Sequence, residues 1–182
     1  MIVGNPRESG ADLAVAVVNT WDTYDDPPEH LVGLEDLRRF LDIVGRHDAA
    51  RRARRSDLIE IKRLRNRLRR VFETNDVGEA ARVLNEVAAE ANAVPRLEQS
   101  EGVWNVRFGP GERSIAAHIG ATAAAALIQI VQAHGLTRFG TCAAPPCTGA
   151  FVDRTKNRSR QYCYELCADR EAQRQHRARL RP

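Results

Sequence analysis

Apolar residues along this chain recur at two different periods, and the longest stretches follow the helical one. Between Leu34 and Val44 they fall at 34, 37, 40, 41 and 44, and Gly45 closes the run, which predicts a short helix. The same period passes through Leu58, Ile61, Leu64, Leu68, Val71 and Phe72, predicting a long helix to Glu73 with Ser56 as its N-cap. Asp76 followed by Glu79 is a capping-box signature, and it opens a helix with Val77, Ala80, Val83, Leu84, Val87 and Ala91 aligned. Ile115, Ile119, Ala123, Ala126, Leu127 and Ile130 place the most apolar helix over Glu112–Ala133, ended by Gly135.

Two stretches depart from this pattern. The run from Ala11 to Asp22 (Leu13, Val15, Val17, Val18) fits a helix capped by Asp12, and its valines fit a strand equally well. Leu97, Val103, Trp104, Val106 and Phe108 flank Ser100-Glu101-Gly102, which predicts a β-hairpin stopped by Gly109-Pro110-Gly111. Asp25-Asp26-Pro27-Pro28 makes residues 24–30 a loop. The expectation is an α+β fold: a mostly α-helical body with a small β-hairpin over residues 1–136, then a small module over 137–182.

Composition adds a core and an uneven charge. The chain is 43% hydrophobic, enough for a globular core, and its net charge is +4. Residues 1–136 hold 18 Lys/Arg against 20 Asp/Glu, whereas residues 137–182 hold 10 against 4, a net of +6. An anionic partner for the C-terminal module follows. Arginines 63, 65, 67, 69 and 70 read as a solvated helix face. The start, MIVGNPRESGADLAV, has no secretory pattern, and no run approaches the ~18 apolar residues of a membrane helix. A cytoplasmic protein with no membrane partner is expected.

The candidate chemistry lies in that basic module. The chain's four cysteines form two clips, Cys142-x4-Cys147 and Cys163-x3-Cys167. In a reducing compartment, clustered cysteines point to a metal or a redox centre rather than to disulfides. Two clips can deliver four thiolates to the corners of a tetrahedron, which favours one structural zinc ion. An iron–sulfur cluster is the alternative, though its commoner spacings bring three cysteines together, and a redox pair would normally be Cys-x-x-Cys.

Between the clips, Phe151 and Val152 suggest a strand pairing with residues 160–162, with Arg154, Lys156, Arg158 and Arg160 on or near the turn. After Cys167, Arg170, Arg174, Arg177 and Arg181 lie on one stripe of a helix. A basic helix beside a basic loop suits DNA, with the helix in the major groove and the loop on phosphates.

These residues carry a family resemblance. Cys142-x4-Cys147, Phe151-Val152-Asp153-Arg154, Asn157, Ser159-Arg160, Tyr162-Cys163, Cys167-Ala168-Asp169-Arg170 and His176-Arg177-Ala178-Arg179 resemble the CGNR zinc finger. Val18-Asn19-Thr20 and the order of elements before it look like the ABATE domain that usually accompanies that finger. The resemblance implies a bacterial transcription regulator, in some cases linked to stress, whose finger binds DNA. Cys142, Cys147, Cys163 and Cys167 would then be the zinc ligands, and Arg154, Arg170, Arg174 and Arg177 would face DNA. Ala168 and Asp169 replace the Gly and Asn of the name-giving motif. Asp169 sets an anion beside the groove-facing stripe, where it could accept only from a cytosine amino group.

No P-loop, dinucleotide fingerprint or HExxH is present, and four thiolates close the zinc shell, so no enzyme is expected. The body is expected to dimerise, contact other proteins or hold a small-molecule effector, with Asn19, Trp21 and Asp22 as candidate pocket residues. The competing class is a zinc-stabilised protein-interaction or ligand-binding module that does not bind DNA.

Overall fold

The computed structural model describes residues 9–100, 102–109 and 114–180. The Glu101 turn residue, Pro110-Gly111, Glu112 and Arg181 of the expectations above lie outside them. The run at the start of the chain is a helix, α1 (Gly10–Val18), and its cap is the Ser9 hydroxyl, which accepts from the Asp12 N–H, rather than Asp12 itself. Helix α2 (Leu34–Ile43) ends where Gly45 adopts φ +73°. The polar stretch after it folds into a short helix, α3 (His47–Arg52).

Helix α4 (Arg55–Glu73) starts one residue before the expected cap. Asp57 reaches back to the Arg54 N–H at 2.7 Å, so the cap is Arg54 and Ser56 lies inside the helix. Helix α5 (Val77–Glu90) is capped by Asp76 as expected, whereas Glu79 accepts from the Thr74 hydroxyl instead of completing the box. Strands β1 (Val94–Ser100) and β2 (Val103–Gly109) form the antiparallel hairpin, with Gly102 at φ +80° in its turn.

Helix α6 (Ile115–His134) packs against α1, α4 and α5 at the centre of the body. At 20 residues it is long and apolar enough to cross a membrane by length and composition, which corrects the reading that no segment is. Its crossing with α1 is close: a Cβ on Gly10 would sit 2.6 Å from the Thr122 carbonyl oxygen. Leu13, Val17, Leu41, Ile61, Leu68, Leu84, Ile119 and Leu127 fill the core between these helices.

The C-terminal segment adds strands β3 (Phe139–Thr141) and β4 (Ala150–Val152) and helix α7 (Glu165–Arg179). β4 pairs with β3, not with residues 160–162. Ala150 and Val152 enter the body's own core, and Phe139 meets Phe72 of α4 edge-on at 5.3 Å. The small sheet thereby joins the finger to the helices.

Candidate metal centre and basic surface

Backbone geometry brings the cysteines together. Cys142 leaves β3 with its N–H on the Gly149 carbonyl at 2.9 Å, and Cys147 turns back onto Ala144 at 3.0 Å. The Gly149 N–H points at Cys147 Sγ, 3.3 Å away, and a Cβ there would lie 2.8 Å from Cys163 Sγ. Only glycine fits beside the sulfurs. Cys163 precedes α7 and Cys167 lies in its first turn.

The four Sγ atoms all lie within 4.8 Å of one another, with 3.5 Å from Cys147 to Cys163 and 3.6 Å from Cys163 to Cys167. A regular tetrahedron of sulfurs about 2.3 Å from zinc has edges of about 3.8 Å, so the cluster fits one zinc ion. The Cys163 thiol donates to Cys147 and holds it down to about 6 against the opposing effect of burial. That same hydrogen bond and burial push Cys163 up, and burial raises Cys167. Zinc would displace the remaining thiol protons.

The basic residues of the finger divide into two groups. Five are engaged within the chain, among them Arg138, which donates to the Asp153 and Thr155 carbonyls at 3.3 and 2.7 Å. Arg154 pairs with Asp12 at 2.8 Å and with the Ser9 hydroxyl at 3.1 Å. Arg160 donates through Nε to the Tyr162 carbonyl at 2.9 Å, also reaches the Cys163 carbonyl, and stacks on Phe151. Arg170 donates to Cys167 Sγ at 2.8 Å, with its guanidinium 3.3 Å from the centre of the Tyr24 ring. Arg174 makes a two-pronged pair with Glu171 at 2.7 and 2.8 Å, and that pairing holds the Glu171 carboxyl down to about 2. By contrast, Lys156, Arg158, Arg177 and Arg179 are exposed and have no ion-pair partner among the described residues.

Asp153, buried at 4% exposure, shapes the loop that carries two of these free cations. Its carboxylate accepts the Thr155 N–H and hydroxyl, both at 2.7 Å, and the Arg160 N–H at 2.9 Å. Burial opposes its ionisation, but those donors outweigh it and keep the pKa below the usual value. This clamp is why residues 160–162 do not pair with β4: the Arg160 N–H is already spent on Asp153. Arg158 at φ +52° closes the loop.

The candidate pocket residues of the body mostly serve another purpose. The Asn19 side chain donates to the Ala150 carbonyl at 2.9 Å and accepts the Ala150 N–H at 2.7 Å, acting as a strand partner for β4. It also borders a cavity of about 250 Å³ with Val15, Leu31 and Phe40, which Trp21 and Asp22 do not line. Asp22 instead accepts the Tyr24 N–H at 2.9 Å. Arg69, read as part of a solvated face, binds the carbonyls of Val18, Trp21 and Thr148 at 2.9, 3.0 and 3.2 Å. Arg65 is buried and binds Glu29 through both nitrogens at 2.7 and 2.9 Å. The one local signal for this latch was Asn19 at the end of an apolar run, where a polar side chain must find a partner.

Two cysteine clips converging on one metal site, with a basic loop and helix beside them and a helical body packed on the small sheet, define a zinc-finger protein with one structural zinc. The chain belongs to the ABATE family, described as "Putative stress-induced transcription regulator", which matches residues 11–134. Residues 138–180 match the CGNR zinc finger. No curated protein matches the chain.

Proposed function

We propose that this chain is a DNA-binding transcription regulator, held in shape by zinc on Cys142, Cys147, Cys163 and Cys167. Bound there, zinc has a closed thiolate shell and supplies structure rather than catalysis. The observation that carries this reading is the Asp153-clamped loop, which holds Lys156 and Arg158 out to solvent with no ion-pair partner among the described residues. Pre-formed cations of this kind suit phosphates, and Arg177 extends the surface along the exposed half of α7. Arg170, by contrast, spends its charge on Cys167, and Arg154 and Arg160 tie the finger to the body and to itself. An effector of the body would sit in the cavity beside Asn19, next to the contact that holds β4.

Four exposed cations without an ion-pair partner among the described residues predict a slope of log K against log salt of about −4 on duplex DNA. Replacing Lys156 and Arg158 together by Ala should weaken binding to all duplexes alike and reduce that slope by about 2, with zinc content unchanged. Arg170→Ala should instead release zinc to a chelator more readily. Fluorescence anisotropy over a salt series, with metal analysis alongside, checks both. Unchanged affinity for the double variant at low salt would overturn the DNA reading in favour of a protein-interaction module.

A further inference from the structure

Helix α7 projects from the finger rather than lying along it. Cys167 and Glu171 are its buried residues, and from Ala172 to Leu180 every side chain is exposed. With about 100° between successive residues, the stripe turned almost directly away from that buried side is Leu166, Asp169, Gln173, His176 and Leu180. All five are exposed, and Asp169, Gln173 and His176 make no hydrogen bond or ion pair among the described residues. Arg170 and Arg174, expected from the sequence to face DNA, sit instead on the flank nearer the buried side, bonded to Cys167 and Glu171.

Two features point to what covers the outward stripe. The first is its rim. Arg177 and Arg179, both exposed and without an ion-pair partner among the described residues, stand about 80° to either side of it. The second is its continuity with the clamped loop. A groove of about 770 Å³, lined by Thr155, Ser159, Gln161, Leu166 and Asp169, runs from that loop to the first turns of α7. The loop bearing Lys156 and Arg158 and the stripe therefore border one concavity, and one ligand can touch both.

Cations at the rim, with an anion and an amide between them, suit a ligand with negative walls and an uncharged floor that donates hydrogen bonds. The DNA major groove has that form: phosphates wall it, and cytosine and adenine present amino groups inside it. An acidic protein surface would instead press its charges against Asp169. Glu165, the other acid on this side, lies in the first turn, where the helix dipole favours an anion.

We infer that α7 reads base edges in the major groove through Asp169, Gln173 and His176, with Arg177 and Arg179 on the two phosphate walls. This rests on the DNA-binding reading and assigns the residues that give it sequence preference. Asp169 accepts from a cytosine amino group, Gln173 makes a two-pronged pair with adenine, and His176 donates a ring N–H to a guanine acceptor. Asp169 and Gln173 are four residues apart, a rise of about 6 Å, which sets the preferred cytosine and adenine about two base pairs apart.

Selection of duplexes from a randomised pool by the full-length, zinc-loaded chain, followed by sequencing, tests this. The parent chain should enrich a site holding that cytosine and adenine. Gln173→Arg should exchange the adenine for guanine and keep the cytosine, whereas Asp169→Ala should relax the cytosine position alone. Gln173→Ala should cut the preference for the selected duplex over a random one by about tenfold or more. Both positions are exposed and unpartnered, so the variants should keep the zinc content and thermal unfolding of the parent chain. Salt-dependent binding that enriches no sequence, or a site that Gln173→Arg and Asp169→Ala leave unchanged, would overturn the inference and leave the DNA-binding reading standing. No binding to any duplex at low salt would overturn both.

Discussion

Arg170 follows the third cysteine of the finger by seven residues and the fourth by three, on the helix expected to enter a groove. Its guanidinium instead lies between Cys167 Sγ and the Tyr24 ring. A hydrogen bond to a charged acceptor is among the stronger ones, and a cation close over an aromatic ring adds to it. With zinc bound, the residue would neutralise part of the tetrathiolate while gripping the body. None of this is visible in a count of arginines, because the Tyr24 ring reaches Arg170 from a segment far away in sequence. The same is true of Arg65. Glu29 at its side is held to about 2: burial would raise it, but the two Arg65 hydrogen bonds and Lys62 pull it well down. A lowered carboxyl contributes stability above its ordinary value near 4.3, and that contribution fades as pH falls from there toward about 2. After allowance for solvent screening the pair contributes about 1–2 kcal/mol. Chemical denaturation should therefore find Glu29→Gln less stable by about that amount at pH 7, with the gap closing toward about pH 2. Both proteins shed zinc over that range, so the difference isolates Glu29.

Among the elements, the helices were the legible part. Periodicity located α2, α4, α5 and α6 within a few residues, because each buries one stripe against a shared core. Asp76 as a cap was legible because the signal is local. Strand β4 was located but paired wrongly, since pairing depends on what else competes for the same backbone groups. Asp153 takes the Arg160 N–H, and β3, arriving from the end of α6, takes the edge that remains. On its other side β4 meets Asn19, an amide that acts as one residue of a strand. Asn19→Ala leaves the buried Ala150 N–H and carbonyl without partners, a loss of about 2–3 kcal/mol in denaturant unfolding. Asn19→Asp keeps the acceptor and loses the donor, and should fall between Ala and the parent residue.

At the scale of the whole molecule, the finger and the helical core share residues. Ala150 and Val152 lie in the same cluster as Leu13, Val17 and Leu68, a few residues after Cys147. Metal removal should therefore be felt throughout the chain. Differential scanning calorimetry of the zinc-loaded protein should show one transition, and chelation should lower its midpoint by about 10 °C or more. Two transitions, with the larger one insensitive to chelator, would instead mark an independent body. The four cysteines were legible as a metal site from their spacing alone, since two clips suffice to form a tetrahedron. How the site supports the rest was not, because that support runs through backbone contacts that spacing does not encode.

The Asn19–Ala150 contact spans 131 residues, so α1 is completed by a strand synthesised long after it. Loops of this length close late and slowly, and native contacts at such separations lengthen the search for the folded state. Synthesis must therefore pass β4 before α1 finds its final partner. A stop before β4 would leave the core unfinished, which gives proteolysis a clean way to tell such copies from those that reach it.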